Sequence, residues 1–154
     1  MLTDEERAEI EQAILDCGTK ESAGLDALRV VQRRDGWVSD ERLRAVAEAL
    51  DLSPAELDSV ATFFNLIFRR PVGRHLILIC DSVSCHIMGY EAIAEHLHSR
   101  LGIGPGETTA DGRFTLLPIA CLGACDRAPA MMIDEDLHGE LTPARIDEIL
   151  AAYP

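Results

Sequence analysis

Aromatic side chains are scarce in this chain. Phe, Tyr and Trp together make up 5% of its 154 residues, and there is a single Trp, so Leu, Ile, Val and Ala must fill most of the core. Positive charge is also in short supply: 14 Lys and Arg stand against 27 Asp and Glu, a net charge of −13. A chain this acidic repels phosphate backbones and anionic lipid, which argues against nucleic acid or a membrane surface as partner. Adjacent arginines occur only at Arg33–Arg34 and Arg69–Arg70, where they read as solvated helix ends. The longest apolar stretch, "LLPIACLGAC", contains Pro118 and stops far short of the ~20 residues that a spanning helix needs. The opening "MLTDEERAEI" is acidic where a targeting leader would be basic. The expected location is a reducing compartment, the cytoplasm, where five cysteines serve as metal ligands or buried thiols rather than disulfides.

Some motifs are missing as well. There is no C-x-x-C, which removes the thioredoxin-type redox pair. "GIGPG" at Gly102–Gly106 follows a helical stretch instead of a strand and lacks the G-x-G-x-x-G spacing, so it is not a dinucleotide loop. No Ser–His–Asp arrangement or paired-carboxylate site can be placed.

What is present begins with helical text. Thr3 caps a stretch with acids in its first turn and an apolar face of Ile10, Ala13 and Ile14. A second stretch carries Leu25, Leu28 and Val31 and stops at Gly36. Ser39 caps a third, with Leu43, Val46, Ala47 and Leu50; Ser53, Pro54 and Glu56 open a fourth with a capping box. Within that fourth stretch, Phe63–Phe64 reads as core between helices, with one ring facing a partner subunit as the alternative. Beyond "RRPVGR" the pattern changes. "HLILIC", "RFTLLPIA", "AMMIDE" and "LHGEL" read as strands, "GYEAIAEHLHSRLG" as an amphipathic helix, and "TPARIDEILAAY" as a closing helix capped by Thr142. The order predicts an α/β sheet with helices on its faces over residues 71–154, preceded by a helical region over residues 1–70.

Four of the five cysteines form two pairs. Cys80 ends the first strand and is followed by Cys85 in a C-x4-C; Cys121 ends the second and is followed by Cys125 in a C-x3-C. If the two strands are neighbours, four sulfurs converge at one end of the sheet, and four thiolates stay together only around a cation. Structural zinc favours a tighter C-x2-C knuckle. A [2Fe–2S] cluster spreads four thiolates over two irons and suits wider loops, whose N–H groups at Ser82, Val83, Ser84, Leu122, Gly123 and Ala124 can bond to sulfur. Both metals remain open on spacing alone. Cys17 lies far from both pairs and reads as a plain thiol, His86 as a residue outside the ligand set, and Asp81, Asp126 and Arg127 as solvated loop charges.

"CDSVSCHIMGYEAI", "TTADGRFTLLPIACLGACDRAPAMMIDED" and "VATFFNLIFRRPVGRH" together resemble the E (24 kDa-type) subunits of NADH–quinone oxidoreductase, respiratory complex I, within the thioredoxin-like [2Fe–2S] ferredoxin family. The resemblance runs from about Ala27 to Tyr153. It implies a thioredoxin-like domain with a helical N-terminal extension, and one [2Fe–2S] cluster with Cys80 and Cys85 on one iron and Cys121 and Cys125 on the other. It also implies an electron-transfer role beside a flavoprotein subunit that holds FMN and binds NADH, with other peripheral-arm subunits around it. The location it implies is cytoplasmic and peripheral to the inner membrane, without insertion. Related subunits serve NAD-linked formate dehydrogenases and hydrogenases; from the residues alone, a zinc-stabilised interaction module is the alternative.

Overall fold

Capping fixes where the first helices start. Thr3 Oγ1 accepts the Glu6 N–H at 3.2 Å and Glu6 returns a carboxylate oxygen to the Thr3 N–H at 2.8 Å, opening α1 (Asp4–Cys17). α2 (Gly24–Asp35) follows without a side-chain cap. Ser39 caps α3 (Asp40–Leu50), and a second reciprocal box, Ser53 with Glu56, opens α4 (Pro54–Phe63). The computed structural model describes residues 1–154 and divides into two compact units, Met1–Pro71 and Val72–Pro154.

In the first unit the stripes predicted from the sequence meet: Ile10, Leu28, Val31, Leu43, Val46, Leu50 and Leu57 form one buried cluster. Phe63 and Phe64 are not in it. Phe63 is 80% exposed and Phe64 39%, the rings stacked edge to face at 5.1 Å. The expectation of a core pair is corrected here: α4 buries Leu57 and Ala61, and its last turn carries Phe63 out on another side.

A buried charge ties this unit together. Glu6 is 2% exposed and is met by the Arg42 guanidinium, by Arg34 at 3.7 Å and by the Thr3 N–H. Arg42 also reaches Asp35 at 2.7 Å and the Met1 carbonyl at 2.7 Å. Burial alone would raise the Glu6 carboxyl; the Thr3 N–H, Arg42 and Arg34 outweigh it and hold the group below its ordinary value.

In the second unit β1 (His75–Cys80) is central. The sheet order is β2-β1-β3-β4: β2 (Phe114–Ile119) runs parallel to β1, β3 (Met131–Ile133) antiparallel to β1, and β4 (Asp136–His138) antiparallel to β3. Pro118, which can donate no ladder bond, is accommodated because β2 is an edge strand. The β1–β2 crossover contains α5 (Val83–Ile87) and α6 (Tyr90–Leu101), and α7 (Pro143–Ala151) follows β4. Ile93 and Leu97 of α6 join Ile146 and Leu150 of α7 in one cluster with Ile77, Ile79, Phe114, Leu116, Met131 and Ile133. Both long helices thus cover the same core side of the sheet, not one face each. The last strand is shorter than "LHGEL" suggested: pairing stops at His138, and Gly139–Leu141 leave the sheet. The architecture is mixed α/β.

Removing the Glu6 charge leaves Arg42 without its buried partner. Glu6→Ala is expected to destabilise the helical unit by about 3 kcal/mol, read as a lowered thermal midpoint by circular dichroism. Because the folded-state value lies below that of the unfolded chain, the contribution is whole above the unfolded value and disappears as pH falls through the folded one. The gap between wild type and variant should therefore be full at neutral pH and narrow in acid.

Candidate metal centre

The parallel register decides where the cysteines go. His75 faces Phe114 and Cys80 faces Ile119, so the two strands end level with each other, and the Asp81 N–H adds one more bond to the Ile119 carbonyl at 2.7 Å. Cys121 then lies two residues past the end of β2, not on its last residue as the sequence suggested. Cys80 and Cys121 therefore leave adjacent strands at the same end. Their partners arrive on single turns and not on open loops: Cys85 on α5, Cys125 at the start of a 3-10 turn spanning Cys125–Arg127.

The four thiols differ in environment. Cys80 and Cys85 are 3% and 1% exposed and pack with Ala128, Tyr90 and Leu122; Cys121 and Cys125 face solvent. Burial pushes the Cys80 thiol up, opposed by the Leu122 N–H, and the neighbouring Cys85 and Cys121 sulfurs push it further. Cys121 moves the other way. The Gly123 N–H donates to its Sγ at 3.3 Å and, against desolvation, pulls the thiol down, with Cys125, the Ser82 hydroxyl and Cys80 adding to the effect. Gly123 has φ +74, and its missing side chain lets the turn present these amides to sulfur. Of the donors expected from the sequence, Leu122 and Gly123 act through the backbone and Ser82 through its hydroxyl.

The sulfurs are neighbours in a chain: Cys85 beside Cys80, Cys80 beside Cys121, Cys121 beside Cys125. Yet no group of three or more His, Cys, Asp or Glu side chains closes around one point as a single ion would require. What the fold brings together is two pairs of thiols, one pair following each strand. That donor set fits a [2Fe–2S] cluster, which would take one pair on each iron.

The remaining candidates fall outside this group. His86 bonds Asp81 through Nε2 at 2.5 Å and lies against the Tyr90 ring at 4.3 Å. Asp126 and Arg127 are exposed. Cys17, on α1 in the helical unit, donates to Asp26 at 3.6 Å, and burial with that carboxylate raises its thiol. No helix is long and apolar enough to cross a membrane.

The lowered thiol and its exposure set an order of reactivity. In metal-free, reduced protein at neutral pH, iodoacetamide should modify Cys121 first and Cys80 last, the rates differing by about tenfold or more. Peptide mass spectrometry over a time course reads the order directly.

Known proteins share this sequence over nearly its whole length. The thioredoxin-like [2Fe–2S] ferredoxin family model matches residues 10–154. The E subunit of the NADH-quinone oxidoreductase of Pseudomonas aeruginosa is 46% identical over 99% of this chain and 92% of its own length. Its counterpart of the same name in Escherichia coli K12 is 50% identical over 96% of this chain and 89% of its own. Among solved structures, an NAD+-reducing [NiFe]-hydrogenase in the air-oxidized state superposes with a TM-score of 0.74 at 32% identity, over 85% of this chain; the match spans 23% of that longer chain. Two level strands, two cysteine pairs and a match over nearly the whole sequence lead to one conclusion: the chain belongs to the thioredoxin-like [2Fe–2S] ferredoxin family.

Proposed function

We propose that this chain is the electron-transfer subunit of an NADH–quinone oxidoreductase, holding one [2Fe–2S] cluster on Cys80, Cys85, Cys121 and Cys125. The observation that carries the reading is the meeting of two cysteine pairs at the shared end of β1 and β2. A bound cluster of this kind supplies one-electron redox chemistry. The chain's own residues do the rest. The buried Cys80 and Cys85 would hold one iron, and the exposed Cys121 and Cys125 would hold the other. The Gly123 and Leu122 N–H groups and the Ser82 hydroxyl stabilise sulfur charge and so bear on the potential.

The electron donor or acceptor is a flavin on a partner flavoprotein subunit. NADH gives up a hydride, a two-electron event, so a flavin must stand between it and a one-electron carrier. The exposed Cys121–Cys125 edge is where such a partner comes close enough. The protein works at the cytoplasmic side of the inner membrane, as a peripheral part of a larger complex. The superposition on the hydrogenase supports a second reading, the equivalent subunit of an NAD-linked hydrogenase. Higher identity and nearly end-to-end coverage favour the first.

Protein purified without oxygen should contain two irons and two sulfides per chain, the stoichiometry that defines the family's cluster. An electron paramagnetic resonance signal should appear only after dithionite. Cys125→Ala should lose the visible bands or release iron within the preparation, and Cys17→Ser should keep them. Stoichiometric zinc without sulfide would show the interaction-module reading to be correct.

Isolated protein mixed with NADH should stay oxidised. Addition of a flavoprotein subunit with bound FMN should let NADH bleach the visible bands. Rapid bleaching by NADH in the verified absence of flavin would reveal a nucleotide site on this chain and overturn the assigned role.

A further inference from the structure

The peptide that carries Cys125 is held from two sides. On one side the Cys80 N–H donates to the Ala130 carbonyl at 3.1 Å. On the other lies the segment joining β4 to α7. There the Glu140 N–H donates to the Arg127 carbonyl at 2.6 Å, and the Leu141 N–H to the Pro129 carbonyl at 3.1 Å. Leu141 is 4% exposed and sits in the core with Ile146 and Leu150. Thr142 then caps α7, which anchors the segment from its far end.

Gly139 makes this approach possible. A Cβ at that position would stand 2.6 Å from the Arg127 Cβ and 2.8 Å from the Arg127 carbonyl oxygen. Carbon atoms in ordinary contact sit ~3.5 Å apart or more, so any side chain at 139 must drive the Arg127 peptide back by about 1 Å. Arg127 lies in the same single turn as Cys125, closed by the Arg127 N–H to the Ala124 carbonyl at 3.0 Å. A rigid turn passes such a displacement on to the Cys125 sulfur.

We propose that the Gly139–Leu141 strap is a positioning element for the cluster: it fixes the place of Cys125 relative to Cys80, Cys85 and Cys121, and Gly139 is the residue that permits the fit. The proposal rests on the cluster reading above. Gly139 and Leu141 touch no ligand sulfur; they act through the Arg127 and Pro129 carbonyls.

A matched control exists at the opposite end of the same sheet. A Cβ on Gly73 would meet the Phe114 backbone at 2.9 Å and the Arg113 carbonyl at 3.0 Å, comparable crowding just ahead of β1, away from the cysteines. The experiment compares Gly139→Ala and Gly73→Ala as full-length, cluster-loaded proteins. Gly139→Ala should shift the resonance g-values and the midpoint potential of the reduced cluster and speed iron release to a chelator about tenfold. Gly73→Ala should lower the thermal midpoint and leave those three readouts at wild-type values. Unchanged signal, potential and iron release in Gly139→Ala, or equal changes in both variants, would overturn the proposal.

Should Gly139→Ala fail to fold or load, hydrogen exchange on the wild type decides. The Glu140 and Leu141 amides should exchange about tenfold more slowly with cluster than without, and the Asp134 amide, bonded to Leu76 at the far end of the sheet, should not change. Equal exchange of Glu140 and Leu141 in both forms rejects the strap. Wild-type protein that contains no iron or sulfide rejects the cluster reading itself, and the strap with it; iron present beside a silent strap rejects the strap alone.

Discussion

Sulfur anions repel one another, and the parallel pairing of β1 with β2 forces four sulfurs into one corner of the sheet. The rest of the second unit answers that constraint. Without a cation the least costly state is protonation, and burial drives the Cys80 thiol toward it. With a cation the same crowding becomes a ligand set. Loading should therefore release protons and depend on pH, because thiolates and not thiols bind metal. Amides directed at Cys80 and Cys121 lower the cost of charge where it collects.

The two pairs are not equivalent. One is sealed by Ala128, Tyr90 and Leu122, while the other lies open. On the proposed reading, a sealed pair would keep water from the cluster and an open pair would keep the distance to a partner short. An electron carrier needs both properties, and two short turns on one sheet end supply them. The helical unit meets a different need. It has its own core and its own buried Glu6–Arg42 pair, so its stability does not rest on metal.

Features with local causes were legible in the sequence. Thr3, Ser39, Ser53 with Glu56, and Thr142 each announce a helix through groups within three residues, and each holds as a cap. The strands β1 and β2 and the two cysteine pairs could be read for the same reason. Features with distant causes could not. α5 covers five residues, and Ser82 makes no side-chain cap bond that would signal it. Phe63 and Phe64 are apolar enough for any core, and only the packing of α4 decides which side they leave by. The split into buried and exposed thiols follows from which turn carries each cysteine, not from C-x4-C or C-x3-C spacing. Gly139 reads as part of the strand "LHGEL", and nothing near it in the sequence announces Arg127 against it.

The level ends of β1 and β2 also bear on which changes of length the chain can absorb. Between α6 and β2 the chain folds back along the outer side of β2, with the Gly106 N–H on the Leu116 carbonyl and the Thr109 N–H on the Phe114 carbonyl, so a residue gained or lost without moving the strand ends must fall in the exposed Ala110–Asp111 turn. The two-residue step from Ile119 to Cys121 has no such freedom, since one insertion would carry Cys121 past Cys80 by about 3 Å. Insertions and deletions among functional descendants of this chain should gather in that turn and be absent from the step to Cys121.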